Sequence, residues 1–272
     1  MAARLLPSLS PQRRRLVVGA VVLALVAVVG IVVAVVVRRG PSVEPVAQDR
    51  PGPVLLVPGF GGSTAALEVL AADLESTGRD VRIVPARGNG TGDLRVRAAD
   101  LGRAVDAALA ETGAPSVDVV GYSAGGVVLR LYVADLGGGS TVRRAVTLSS
   151  PHHGTDLAGL AASFGAETCP EACQQLAPDS DLLRDLNAGD ETPRGPVWVA
   201  LWTEDDKTVV PPTSGELDGA LDYAVQSVCP DLTVGHPDVP RTPAVVAMVE
   251  AALGPEAPAR PDSRVCSHEL SR

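Results

Sequence analysis

The chain has 272 residues, 46% of them hydrophobic but only 3% aromatic, with 23 basic and 32 acidic side chains. That length suits one large α/β domain or two small ones, with a core of Val, Leu and Ala rather than rings. Residues 1–40 carry six Arg and no acid, leaving 17 basic against 32 acidic residues in the rest, a balance that repels nucleic acid and anionic headgroups.

Residues 1–15 are basic, with Arg4 and Arg13 to Arg15, and residues 16–37 (LVVGAVVLALVAVVGIVVAVVV) are 22 uncharged positions in a row. As a helix that run is about 33 Å long, enough to cross a bilayer core. A cleaved signal peptide has an apolar stretch of about 7–15 residues and a small-residue cleavage site. This run is longer and meets Arg38-Arg39 and Gly40-Pro41, so the expectation is an uncleaved transmembrane signal anchor, with secretion after cleavage as the alternative. The excess of Arg before the span keeps residues 1–15 cytoplasmic and puts the rest outside the cell membrane. Residues 38–53, with the Pro-rich PSVEPVAQDRPGP, read as a linker.

From residue 54 to 256, short β-branched runs alternate with helical patterns. The strand expectations are Val54–Val57, Val81–Val84, Val117–Val120, Ala145–Leu148, Val197–Leu201 and Tyr223–Val228. Continuous apolar runs of this kind suit a parallel sheet covered on both faces. Helices are expected over Thr64–Ser76 after an N-cap Ser63, over Leu94–Ala110 after Asp93, over Ala124–Leu136 before three glycines, and over Pro243–Leu253. Residues 152–196 break the rhythm, with short helical pieces that are either an ordinary excursion or a cap over a site. Leu157, Leu160, Phe164, Leu176, Leu182 and Leu183 there would line a cleft or belong to the core.

Four cysteines allow three pairings. The spacing suggests Cys169–Cys173 as a local clip and Cys229–Cys266 tying the tail, residues 257–272, to the body. A zinc site from Cys169, Cys173 and His152 or His153 is the alternative, disfavoured because an exported chain oxidises its cysteines.

GYSAG, residues 121–125, stands between a strand and a helix, the setting that gives G-x-S-x-G its meaning. The serine at a sharp strand-to-helix turn points its hydroxyl out, and the helix N-terminus favours negative charge beside it. Ser123 is therefore the expected nucleophile. With the chain order serine, acid, histidine, His236 in DLTVGHPDVP is the expected base, since no acid-bearing strand end precedes His152 or His153 and His268 lies in the tail. Asp206 in WTEDDKTVV is the favoured acid, with Asp205 second. The N–H groups of Ala124 and of Phe60, in LLVPGFGGST, would bind an oxyanion. A phosphate loop is excluded at the latter, because G-x-x-x-x-G-K-[S/T] is absent.

VPGFGG, GNGTGDL, VDVVGYSAGGVVLRLY, SSPHHGT, CQQLAPDSDLL, DDKTVVPP and CPDLTVGH together resemble the small secreted bacterial lipases and esterases of the α/β-hydrolase superfamily. The resemblance runs from about residue 51 to about residue 255. It implies an α/β-hydrolase fold with a reduced core of about six parallel strands and helices on both faces, here preceded by one transmembrane helix. It also implies Ser123 as nucleophile, Asp206 as acid (its D-x-x-V turn favours it over Asp205), His236 as base, and Phe60 and Ala124 as backbone donors. The PHHGT stretch would line the acyl pocket, with His152 and His153 touching substrate. Two departures stand out: Pro58, where many relatives have His, and the anchor. The expected activity is serine ester hydrolysis outside the membrane without metal or cofactor. Its partners are an ester or lipid substrate and the membrane through the N-terminal helix, with no nucleic acid and no obligate protein partner. Acyl transfer with the same triad, a peptidase, and a catalytically silent membrane-anchored binding domain are the alternatives.

Overall fold

The structure is a computed structural model that describes residues 11–39, 43–163, 165 and 167–268, with the side chains of residues 11, 14, 16 and 31–39 outside the description. The chain divides into two units, Met1–Ser42 and Val43–Arg272. In the first, α1 (Pro11–Arg39) is a helix of 29 residues. Its apolar side chains from Val17 to Val29 are exposed. Among the described residues no helix is long and apolar enough to cross a membrane. The expected span, residues 16–37, includes residues 16 and 31–37, whose side chains lie outside the description.

The second unit is built on six parallel strands in the order β2-β1-β3-β4-β5-β6. They are β1 (Val54–Val57), β2 (Val81–Ile83), β3 (Val117–Tyr122), β4 (Val142–Leu148), β5 (Val197–Trp202) and β6 (Leu221–Ala224). Helices α2 (Ala65–Ser76) and α8 (Pro243–Leu253) cover one face, and α3 (Leu94–Thr112) and α4 (Ala124–Asp135) the other. Alternation along β1 divides the core accordingly. Leu55 and Val57 pack with Leu101, Val105 and Val128, while Val54 and Leu56 pack with Leu70, Val245 and Val249. Residues buried on both faces are why these strands read as unbroken apolar runs.

The differences from expectation are local. Thr64, not Ser63, precedes α2, and its hydroxyl donates to Glu68 rather than capping a backbone N–H. Asp93 caps α3 as expected, accepting from the Arg95 N–H. That helix continues to Thr112, because Gly113 supplies the left-handed residue that ends it. The run Tyr223–Val228 is a strand only to Ala224. Val225–Ser227 then tighten into a 3₁₀ turn, which an apolar pattern alone cannot distinguish from a buried strand. The excursion between β4 and β5 contains three short helices, α5 (Asp156–Ala162), α6 (Glu171–Gln175) and α7 (Asp181–Leu186).

Both expected disulfides are present, Cys169–Cys173 and Cys229–Cys266. They occupy the sulfurs that a zinc site would need. Closing a loop of 37 residues restricts the unfolded chain by on the order of 3–4 kcal/mol. Reduction is therefore expected to lower the unfolding free energy by at least that order, read as a lower urea midpoint, and an unchanged midpoint would show that the disulfides contribute nothing to stability.

Candidate active site

The strand order reverses between β1 and β3, which are neighbours although β2 lies between them in sequence. In open α/β sheets the crevice at the carboxyl ends of such strands is where ligands bind. Ser123 follows β3 there, and the loop after β1 carries Phe60.

Ser123 has φ 54° and ψ −126°, a left-handed conformation that a serine adopts only under constraint. Its glycine neighbours make the turn possible. A Cβ on Gly121 would lie 2.5 Å from the Gly125 carbonyl oxygen, and one on Gly125 would strike the Val57 carbonyl. The β1 loop passes equally close, because a Cβ on Gly59 would lie 3.0 Å from that of Ser123. The Phe60 N–H therefore belongs to the backbone beside the hydroxyl. Ala124 is the first residue of α4, so its N–H has no intrahelical carbonyl to bond.

The Ser123 hydroxyl Oγ lies 3.0 Å from His236 Nε2, and His236 Nδ1 lies 2.7 Å from Asp206 Oδ2. All three side chains are buried. Asp206 Oδ1 also accepts the N–H groups of Thr208 and Val209, each at 2.8 Å, which holds the carboxylate in place beside the imidazole. With Nδ1–H donating to Asp206, Nε2 is left to accept the serine proton. Asp205 has a different task. Its Oδ2 accepts from the Val234 N–H and from Gln226 Nε2, both at 3.0 Å, so it braces the loop that carries His236.

Three supporting residues escaped the sequence reading. Tyr122 donates its hydroxyl to the His236 carbonyl at 3.0 Å and packs its ring 5.2 Å from the imidazole. Burial raises its pKa, so it stays a neutral donor. Thr203 donates to the Val234 carbonyl at 2.8 Å. Buried Arg97 donates to the Pro58 carbonyl, and burial lowers its pKa to about 10. The middle residue of G-Y-S was the signal for Tyr122, while the other two had none within short motifs.

A cavity of about 200 Å³ opens beside Ser123, lined by Phe60, Pro151, Leu157, Ala158, Leu176 and Val209 among others. Leu157 and Leu176 thus meet the expectation for a cleft. Leu182 and Leu183 are core, Leu160 is exposed, and Phe164 lies outside the described residues.

His152 and His153 do not line the cavity. His152 is fully buried, with Nε2 3.1 Å from the Thr147 hydroxyl, and His153 faces Glu191 at 2.9 Å. Burial first, then the charges of Arg130 and His153, holds the His152 pKa well below the usual histidine value. Below about pH 6.5 the unfolded chain takes up a proton that the fold refuses, so stability present above that pH declines as pH falls. A His152→Gln variant is expected to lose up to about 1.4 kcal/mol less per pH unit than wild type between pH 6 and pH 5. Parallel urea titrations at the two pH values would reject this if the slopes match.

A family model described as alpha/beta hydrolase fold matches residues 52–168. Among solved structures, lipase B of Aspergillus fumigatus is similar with 22% identity and a TM-score of 0.66, over 81% of this chain and 57% of that one. This chain therefore spans little more than half the length of that protein. The mature form of the lipase BlEst2 of Bacillus licheniformis matches with 18% identity and a TM-score of 0.59, over 79% of this chain and 96% of that one. A gene product of Listeria innocua matches at 18% identity and a TM-score of 0.55, over 78% and 97%. The six-stranded parallel sheet, the turn at Ser123 and these matches agree: the chain has the α/β-hydrolase fold, and lipases of that fold are among the proteins it resembles.

Proposed function

We propose that the protein is a serine carboxylic-ester hydrolase with Ser123 as nucleophile, His236 as base and Asp206 as the orienting acid. What supports the reading is the continuous hydrogen-bonded line from Ser123 through His236 to Asp206 beside an apolar cavity. His236 takes the Ser123 proton as Oγ attacks the ester carbonyl, and the oxyanion forms against the N–H groups of Phe60 and Ala124. Each such donor contributes about 10²–10³ in rate. His236 then protonates the leaving alcohol, and water, activated by the same imidazole, hydrolyses the acyl-enzyme.

The cavity is smaller than the roughly 300–1,000 Å³ of a pocket for a drug-sized ligand, so the acyl chain is short to medium. The uncharged run at 16–37 and the arginines before it support a membrane anchor with the catalytic unit outside, where disulfides persist. Assays of the full chain in detergent on chromogenic esters of increasing acyl length test the reading. We expect turnover to peak at short to medium chains and to fall for long ones. A folded protein inactive on the whole series would refute ester hydrolysis of this class, and an optimum at long chains would refute the size assignment.

A further inference from the structure

The loop after β1 has little side chain to hold it, with exposed Phe60 standing among Gly59, Gly61 and Gly62. Backbone bonds set its shape. The Gly62 N–H donates to the Gly59 carbonyl at 3.2 Å and closes a turn in which Gly61 has φ 79°, the positive value that the third position of a type II turn takes. The Gly59–Phe60 peptide is trans, so a carbonyl held inside the turn points the Phe60 N–H the opposite way. The Gly61 N–H donates to the Gly90 carbonyl at 3.3 Å and ties the turn to the loop after β2. The preceding peptide is anchored by a side chain. Arg97, from α3, donates an Nη to the Pro58 carbonyl. That carbonyl lies against α4, since a Cβ on Gly125 would stand 2.9 Å from its oxygen. Its partial negative charge is therefore close to the helix N-terminus, where on the proposed mechanism the oxyanion forms.

The guanidinium carries more charge than one carbonyl needs. Arg97 is buried, and among the described residues no carboxylate forms an ion pair with it. Asp100, one turn further along α3, is taken by Arg87 at 2.7 Å and by Arg103. The other Nη of Arg97 is buried without a hydrogen-bond partner. Burial lowers its pKa only to about 10, so the group stays charged at neutral pH. A buried cation without a counter-ion costs stability, and folding alone gives no reason to keep one.

We propose that Arg97 is a positioning residue of the ester-hydrolysing site, holding the Pro58 carbonyl so that the next peptide presents the Phe60 N–H to the oxyanion, and screening that carbonyl's charge from it. The inference rests on the proposed role of Ser123. Gly59 has no side chain to resist rotation, so without the guanidinium the Pro58–Gly59 peptide is free to turn and carry the Phe60 N–H out of line. Arg97 does not line the cavity beside Ser123 and acts only through the loop. Its loss therefore falls on the transition state rather than on substrate binding.

The test measures kcat and KM of the full chain in detergent on a medium-chain chromogenic ester. It also measures inhibition by an alkyl boronic acid, whose tetrahedral adduct with Ser123 puts an oxygen where the oxyanion would be. Arg97→Met and Arg97→Gln are each expected to lower kcat about 10–100-fold, less than loss of a donor outright, with KM within about threefold of wild type. The inhibition constant should rise by a similar factor, and that readout does not depend on how much of the protein is folded. Arg97→Lys, which keeps the charge and a donor, should recover at least about threefold in both. Wild-type kcat and inhibition in a folded neutral variant, or a loss confined to KM, would overturn the positioning role while ester hydrolysis stands. A lysine variant no better than the neutral ones would overturn the part given to the charge. A wild type without turnover, or turnover that survives Ser123→Ala, would overturn the ester reading and this inference with it.

Discussion

Replacing Ser123 by alanine is expected to lower ester turnover by about 10⁴–10⁶-fold, with the Michaelis constant nearly unchanged. On the proposed mechanism the hydroxyl forms the acyl-enzyme bond, whereas the cavity and the backbone donors that hold the substrate remain. A second variant separates chemistry from folding. Because the backbone at Ser123 has φ 54°, glycine fits there without strain, and the strain of such a residue is about 1–3 kcal/mol. Ser123→Gly should therefore be as inactive as Ser123→Ala yet melt at a higher temperature. Turnover within tenfold of wild type in either variant would remove Ser123 from the mechanism.

The largest effect on stability is expected at Arg143, a fully buried cation in β4. Its guanidinium grips Asp118 with two bonds, Nε to Oδ1 at 2.8 Å and an Nη to Oδ2 at 2.7 Å. It also donates to the carbonyls of Gln48, Leu253 and Gly254, each within 2.9 Å. Arg79 reaches the same carboxylate at 2.6 Å. This knot joins the segment before β1, the middle of the sheet and the end of α8. Arg143→Met would leave the Asp118 charge half-compensated and take a donor from the Gln48 and Gly254 carbonyls, while the Leu253 carbonyl keeps Arg79 at 3.2 Å, so unfolding free energy should fall by about 3–5 kcal/mol. Adding Asp118→Leu removes the stranded charge and should recover part of the loss. Urea denaturation of the single and double variants measures both, and a double variant less stable than Arg143→Met would contradict the charge argument.

The sheet was legible because its strands are buried on both sides and the glycines, prolines and Asp93 punctuate them. The strand-to-helix turn was legible for the same reason, since a strand ending in Gly-Tyr and a helix opening in Ala-Gly leave one position between them for Ser123. The choice of Asp206 over Asp205 needed coordinates. Adjacent carboxylates at a strand end point to opposite sides, one to the imidazole and one to the Val234 N–H, and composition is blind to that. His152 misled for a related reason. A histidine beside Pro in a motif shared with lipases looks exposed to substrate, yet its ring turns inward to Thr147. Arg97 owes its place to a partner 39 residues away, the Pro58 carbonyl, and no local pattern reports such a distance.

Most of the apolar wall beside Ser123 comes from one stretch of chain, Pro151 to Leu176, whereas the hydrogen-bonded line is assembled from the turns after β3, β5 and β6. On the proposed reading, selectivity and reactivity are thus written in separate passages of the sequence that meet at Thr155, which donates to the Thr208 carbonyl and accepts the Val210 N–H. Exchanging the apolar wall while keeping Thr155 would re-cut the cavity and leave the Asp206 loop its fastening.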